Sequence, residues 1–177
     1  MKKFLQFAGL ISLGLALVGF ILMMATHALE YSNGSVKGWY SGTAVIFANG
    51  RCLAGLGGLS MEADFSGKLA VTALLGWIFA LVAMIIILLG VILPLLKINA
   101  LEKFAGLLNL IAVCLLVIAG VFVFITVPVF AAANEWNSSK DWLLGVGWVF
   151  AGIFYIAAGV IAIMPAAANF MAKSKKR

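Results

Sequence analysis

The stretch that decides the fold runs from residue 69 to residue 96 and reads LAVTALLGWIFALVAMIIILLGVILPLL. It contains no Asp, Glu, Lys or Arg and is longer than the roughly 20 residues that a helix needs to cross a bilayer. Three more uncharged stretches of this kind occupy residues 4–26, 104–133 and 143–168. Because the bilayer core offers no water to backbone groups, helix is the expected state of all four. The sequence therefore predicts an all-α membrane protein, built as an antiparallel four-helix transmembrane bundle.

Composition excludes the other large classes of protein. The chain has 177 residues, of which 65% are hydrophobic and only 10% are charged. Soluble domains carry about a quarter of their residues as Asp, Glu, Lys and Arg. A soluble globular protein, a disordered chain and a disulfide scaffold are therefore not expected. The length fits a single four-span domain covering residues 1–177.

The charged residues predict which way the spans face. Eight cations and one anion fall beside the two termini and in the loop at 97–103, whereas four cations and five anions fall in the loops at 27–68 and 134–142. Since Lys and Arg in short loops determine topology, both termini are expected in the cytoplasm of a multi-pass plasma-membrane protein. The cations are divided among short flanks of the spans, so the basic balance predicts contact with anionic membrane lipid and no nucleic acid partner.

The outer loop at residues 27–68 is expected to be partly ordered. Trp39-Tyr40 and residues 43–47 (Thr-Ala-Val-Ile-Phe) form a β-branched and aromatic run, which predicts a short strand or hairpin over the mouth of the bundle. The loop also has too many large apolar residues to remain disordered. In the third span, Pro128 is expected to kink the helix or to end its regular part.

Each predicted span carries small residues that alternate three and four positions apart. Small residues let membrane helices approach closely, so this spacing predicts the faces along which the helices pack. Ala and Gly are abundant throughout the chain, however, and chance can produce such a register. Asn109, a polar member of the third stripe, is interpreted as an interhelical hydrogen-bonding group, with a substrate ligand as the alternative. The candidate helix-packing residues are Gly9, Ala16, Gly19, Gly76, Ala80, Asn109, Gly145, Gly152 and Gly159.

Side chains for catalysis or metal binding are scarce. No span has an ionisable group at its centre, which proton-coupled transport and voltage sensing usually require. His27 and Glu30 could share a helical face, but a metal or acid–base site would also need Glu62 and Asp64 from across the loop. No phosphate-binding loop, nucleophile motif or paired-cysteine motif is present. We therefore predict no catalytic residue, no cofactor and no metal.

The two cysteines, Cys52 and Cys114, are expected at different depths, so no disulfide between them is predicted. Cys114 is interpreted as a small core residue. Cys52 lies in the outer loop and could cross-link to a partner.

Four aromatic residues of the outer loops, Trp39, Tyr40, Trp136 and Trp142, form the candidate partner surface. Aromatic side chains are enriched both at membrane interfaces and at the centres of protein interfaces. Packing of one outer loop on the other is the equal alternative for this group.

A long first outer loop, a tight inner turn and a short second outer loop give a layout similar to that of the claudin-like tetraspans. That family carries a Trp…Gly-Leu-Trp motif followed by paired cysteines, whereas Gly38-Trp39-Tyr40 is followed here by Cys52 alone. The resemblance is one of layout, and no functional residue is carried over.

The lack of chemical motifs, together with the small-residue stripes and the outer aromatics, predicts a non-catalytic accessory, scaffolding or assembly subunit. Its partner would be a second copy or another membrane protein. The alternative from a different class is an oligomeric channel or transporter component with a pathway between protomers. A third reading, an interfacial enzyme, requires His27, Glu30, Glu62 and Asp64 to converge.

Overall fold

The computed structural model describes residues 2–33, 36–56, 59–95, 105–136 and 141–174. The inner loop predicted at 97–103 lies outside these residues, as does most of the cationic C-terminal tail.

The chain is mostly helical, and four of its helices are long and apolar enough to cross a membrane, as predicted. They are α1 (Lys2–Ala25), α3 (Val71–Leu95), α4 (Ala105–Phe124) and α6 (Val146–Ser174). Two short helices, α2 (Gly42–Phe47) and α5 (Thr126–Ala133), accompany them. The helix ends agree with the predicted spans to within a few residues, except at the last helix, which begins later and ends later than predicted.

Pro128 explains why the third predicted span forms two helices. The regular part of α4 ends at Phe124, and α5 begins after a turn at Ile125. Proline has no N–H to donate to the carbonyl four residues before it, which here belongs to Phe124. The predicted interruption is therefore present, and it falls within one turn of the proline.

The four long helices form a ring in which α1 and α4 each pack against α3 and α6. Side-chain neighbours give their directions. Gly19 lies against Ala151 while Ser12, nearer the start of α1, bonds to Ala158, so α1 and α6 run in opposite directions. Sequential neighbours in the ring are likewise antiparallel, as the contacts of Gly76 with Ala119 and of Gly90 with Asn109 show for α3 and α4.

The outer loops build a sheet that is larger than the short strand or hairpin predicted there. Its strands are β1 (His27–Asn33), β2 (Val36–Ser41), β3 (Arg51–Leu56), β4 (Leu59–Asp64) and β5 (Trp142–Leu144). They lie in the order β4-β3-β2-β1-β5, and every described pair is antiparallel. Trp39 and Tyr40 of the predicted short strand or hairpin lie in β2, which is one part of a five-stranded sheet to which both outer loops contribute.

Two local predictions in these loops are wrong. The run at residues 43–47 lies in α2 rather than in a strand, because the Ser41 hydroxyl accepts a hydrogen bond from the Ala44 N–H and caps the helix. Val45 and Ile46 are fully buried there, and this burial outweighs their β propensity. Residues 142–144, predicted as the end of a loop and the start of a span, form β5 because they pair with β1.

The sheet is attached to the outer ends of the helices through main-chain hydrogen bonds. The Gly42 N–H donates to the Thr26 carbonyl at 3.0 Å, and the Gly145 N–H donates to the Ala28 carbonyl at 2.9 Å. A Cβ at Gly42 would overlap the Met23 carbonyl, and one at Gly145 would overlap the His27 carbonyl. Glycine is required at both positions because backbone meets backbone there.

Candidate functional site

The bundle interior contains the predicted small-residue stripes. Gly9 lies against Val91 of α3, and Gly19 lies against Tyr155 of α6. Asn109 is half-buried, and its amide oxygen would be 2.9 Å from a Cβ at Gly90. Of the remaining candidate packing residues, five are buried in the bundle: Ala16, Gly76, Ala80, Gly152 and Gly159. Gly145 is also buried, but it lies at the junction with the sheet, one residue before α6 begins.

Large side chains fill the interior between these stripes. Trp148, Tyr155 and Met23 are fully buried. The Trp148 indole N–H donates to the Met23 carbonyl at 3.1 Å, and the Tyr155 hydroxyl contacts the Met23 sulfur at 3.3 Å. The Ser12 hydroxyl donates to the Ala158 carbonyl at 2.8 Å. These three polar contacts all join α1 to α6, whereas the buried Thr72 hydroxyl and Trp77 indole N–H of α3 have no hydrogen-bond partner among the described residues.

The helix faces that point away from the bundle axis are apolar. Large aliphatic and aromatic side chains of all four long helices are exposed there, in contrast to the small residues inside. Examples are Ile21 of α1, Ile85 of α3, Val121 of α4 and Phe150 of α6.

Tyr40 lies at the centre of an aromatic cluster between the sheet and the bundle. Its ring is 5.2 to 5.7 Å from four other rings, and neighbouring members also contact one another, with 4.8 Å between Trp136 and Trp142. Burial, and secondarily the nearby Cys52 thiol, raises the pKa of Tyr40. Of the four residues predicted as a partner surface, three thus pack one outer loop on the other. The aromatic cluster consists of Tyr40, Phe65, Phe130, Trp136 and Trp142.

Trp39 lies on the opposite face of the sheet from this cluster, because successive side chains of a strand alternate between faces. Its ring stacks on that of His27, with the centroids 4.3 Å apart and the planes within 8°. Trp39 is only half-buried. Of the four predicted partner residues, Trp39 alone lies outside the aromatic cluster.

The four polar residues of the enzyme alternative lie on two separate strands, His27 and Glu30 on β1 and Glu62 and Asp64 on β4. His27 Nδ1 is 3.7 Å from the Glu30 carboxylate on β1, and Glu62 on β4 is 3.9 Å from Arg51. Strands β1 and β4 are three steps apart in the sheet, or about 14 Å. Within the described ranges, no three His, Cys, Asp or Glu side chains are grouped to hold a metal. The convergence that this alternative needs is not found.

Lys68 of the first outer loop is joined to Asn134 and Glu135 by polar contacts, which we call the polar clip. The Asn134 side chain accepts from the Lys68 N–H at 2.8 Å and donates to the Lys68 carbonyl at 2.9 Å. The Lys68 ammonium is 3.0 Å from the Glu135 carboxylate. The hydrogen bond from Lys68, and secondarily the charge of Lys68, lower the pKa of Glu135.

Both cysteines are free thiols, in agreement with the prediction of no disulfide between them. Cys52 is buried, and its thiol donates to the Ala63 carbonyl at 3.5 Å. Burial, with a smaller contribution from Asp64, raises the pKa of the Cys52 thiol. A buried, protonated thiol does not favour the suggested cross-link to a partner. Cys114 is exposed on the bundle surface, so its interpretation as a core residue is wrong.

Four residues of the two sheet faces are not predicted from the sequence: Phe65 and Phe130 in the aromatic cluster and Leu53 and Leu143 on the outward face. Phe130 and Leu143 fall within predicted spans, where a large apolar residue carries no particular signal. Alternation within β3 and β4 could have indicated Leu53, but glycines interrupt the pattern there.

Comparison with known proteins adds no family to this geometry. The sequence matches no protein-family model and no curated protein. The function is therefore inferred from the sequence and structure of this chain.

Proposed function

We propose that the chain is a multi-pass plasma-membrane protein that acts without catalysis, as an accessory, scaffolding or assembly subunit. The observation that carries this proposal is the division of the molecule into a filled bundle and a sheet fixed to one end of it. A filled interior offers little room for substrate chemistry, whereas a sheet held by several elements presents side chains to a partner in fixed positions.

The membrane assignment is supported by the bundle surface. Exposed residues such as Ile21, Ile85 and Phe150 would be costly in water but suit hydrocarbon. The excess of Lys and Arg beside the termini supports a cytoplasmic location for both ends and an outer location for the sheet.

The assembly role is supported by apolar side chains that the fold leaves exposed on the sheet and on the helices. The outward face of the sheet includes Trp39 and Leu143, and Leu143 is 70% exposed. The apolar helix surfaces provide further area on which a second copy or another membrane protein could pack.

A channel or transporter component ranks second. It would need polar residues on the helix surfaces that face a pathway between protomers. Instead, Ser12 and Thr126 are buried and donate to carbonyls of the chain itself, Ala158 and Phe122 respectively. Solute flux through reconstituted liposomes, abolished by Asn109→Leu, would reverse this ranking.

Orientation can be tested by labelling single cysteines with a membrane-impermeant maleimide. In a variant lacking Cys52 and Cys114, we expect Lys37→Cys to be labelled in intact cells and Lys173→Cys only after the cells are opened. Lys37 lies on β2 and Lys173 in the last turns of α6. The reverse pattern would contradict the proposed topology.

Assembly can be tested by purifying the chain in mild detergent and measuring its mass by light scattering. We expect an oligomer or a co-purifying protein. Dispersed monomers without any other protein would contradict the assembly role.

A further inference from the structure

One row of side chains crosses all five strands on the sheet face opposite the aromatic cluster. Cross-strand pairs join the row in order from β5 to β4, and we call its five residues the outward row: Leu143, Glu30, Trp39, Leu53 and Glu62. Since neighbouring strands lie about 4.8 Å apart, the row is about 19 Å long.

The apolar members of the outward row are unusual for a face turned to solvent. The outer face of an antiparallel sheet is normally polar when its other face packs on a core. Here Leu143 is 70% exposed, and Trp39 and Leu53 are each only half-buried. Trp39 and Leu53 are direct cross-strand neighbours, and Glu30 separates them from Leu143. Apolar residues at the surface that are bordered by polar ones are a feature of interaction sites.

The two carboxylates of the outward row indicate the chemistry of what would bind there. Glu30 lies beside Trp39, and Glu62 lies beside Leu53, three strand spacings or about 14 Å away. Their side chains are 47% and 60% exposed, and their contacts with His27 and Arg51 are long. Such exposed pairs contribute little, so both carboxylates are free to meet another cation.

An extended chain rises about 3.4 Å per residue, so two cations four positions apart would match the two carboxylates. The chain itself does not supply this spacing on the outer side, where its cations are Lys37, Arg51, Lys68 and Lys140. Anionic lipid headgroups would be repelled by the carboxylates. The pattern therefore favours a different protein as the occupant.

We propose that the outward row binds an extended segment of another outer-side protein, with apolar side chains between two Lys or Arg residues about four positions apart. This inference rests on the proposed assembly role and names the partner's chemistry. Leu143, Trp39 and Leu53 would contact the apolar side chains, and Glu30 and Glu62 the flanking cations.

The test is photo-crosslinking in native membranes, with a benzophenone amino acid replacing Leu143 or Leu53 in the full chain. We expect an adduct with a different protein, cross-linked within a segment that carries the basic pair. The double variant Glu30→Gln, Glu62→Gln should lower the adduct yield about fivefold, as the loss of two exposed ion pairs predicts. Glu135→Gln removes an exposed carboxylate outside the row and should leave the yield unchanged. A cooperative thermal unfolding transition in each variant would show that it folds.

Adducts with lipid or with a second copy would overturn the inference, as would a cross-linked segment without basic residues or a yield insensitive to the two carboxylates. Absence of any adduct would also overturn it. If the chain still purifies with a partner in that case, the assembly role survives and only the outward row is excluded. If it purifies as lone monomers, both proposals fail.

Discussion

The bundle and the outer sheet, built from one chain, are packed in opposite ways. Inside the bundle, small residues bring backbones together, and a Cβ at Gly19 would already lie 3.0 Å from the Tyr155 ring. Between sheet and bundle, five large rings fill the space instead. The proposed membrane location accounts for the first of these, because burying an apolar side chain gains little in hydrocarbon and helices there associate through close packing. In contact with water, burying rings gains the hydrophobic effect.

The largest effect should come from a bundle residue that breaks the small-residue pattern. Trp148→Ala removes a fully buried indole and its hydrogen bond to Met23, and we expect a loss of about 3 to 5 kcal/mol in the free energy of unfolding. Phe150→Ala, on the exposed surface of the same helix, should cost far less. Unfolding followed by circular dichroism during titration with SDS measures both. Equal losses would show that the two faces of α6 are not distinguished as described.

In the sheet, the corresponding comparison is between substitutions of Tyr40 and of Trp39, which lie on opposite faces. Tyr40→Ala removes the ring that contacts four others, and we expect a loss of about 2 to 3 kcal/mol because the ring is half-buried. Trp39→Ala removes one stacking contact with His27 and should cost about 1 kcal/mol. The same unfolding titration applies. A larger loss for Trp39 would mean that the outward face, rather than the aromatic cluster, stabilises the sheet.

Glycine substitutions compare the junction of the two regions with the bundle surface. Gly42→Ala places a methyl group against the Met23 carbonyl and should destabilise by about 1 to 3 kcal/mol. Gly14→Ala, where a Cβ meets nothing within 4 Å, should stabilise α1 by up to about 1 kcal/mol. Thermal melting in detergent should move the two variants in opposite directions. A stabilised Gly42→Ala variant would contradict the close approach of the sheet to α1.

The smallest effect concerns the polar clip and depends on pH. Lys68 holds the pKa of Glu135 below its ordinary value of 4.5, so the folded state binds fewer protons there than the unfolded state does. The stabilisation is present above that value and is lost as pH falls below it. Melting curves of Glu135→Gln and of the unaltered protein should therefore converge at low pH and also at high salt. Parallel curves across the acid range would exclude a role for the pair.

The bundle could be predicted from the sequence much better than the sheet. Long uncharged runs specify the helices, and the three-and-four spacing of residues such as Gly76 and Ala80 indicates the faces that the structure buries. The sheet gives a weaker signal because its strands are short and because one of them, β5, pairs with a strand that lies far earlier in the chain. Val45 and Ile46 show the limit, since their local β preference is overridden by a serine cap and by burial between helices. Which side of the sheet Trp39 and Tyr40 occupy follows from register alone, which composition does not reveal.

The place of β5 at the edge of the sheet has a consequence for synthesis. β1 leaves the ribosome early, yet its second neighbour is supplied by residues 142–144, beyond three of the four long helices. Until residues 142–144 are available, one edge of β1 presents unpaired amides and carbonyls. The pairing of β5 with β1 therefore requires that the three long helices between and before them have been made, and a chain arrested before β5 would leave a strand edge open to pairing with other chains.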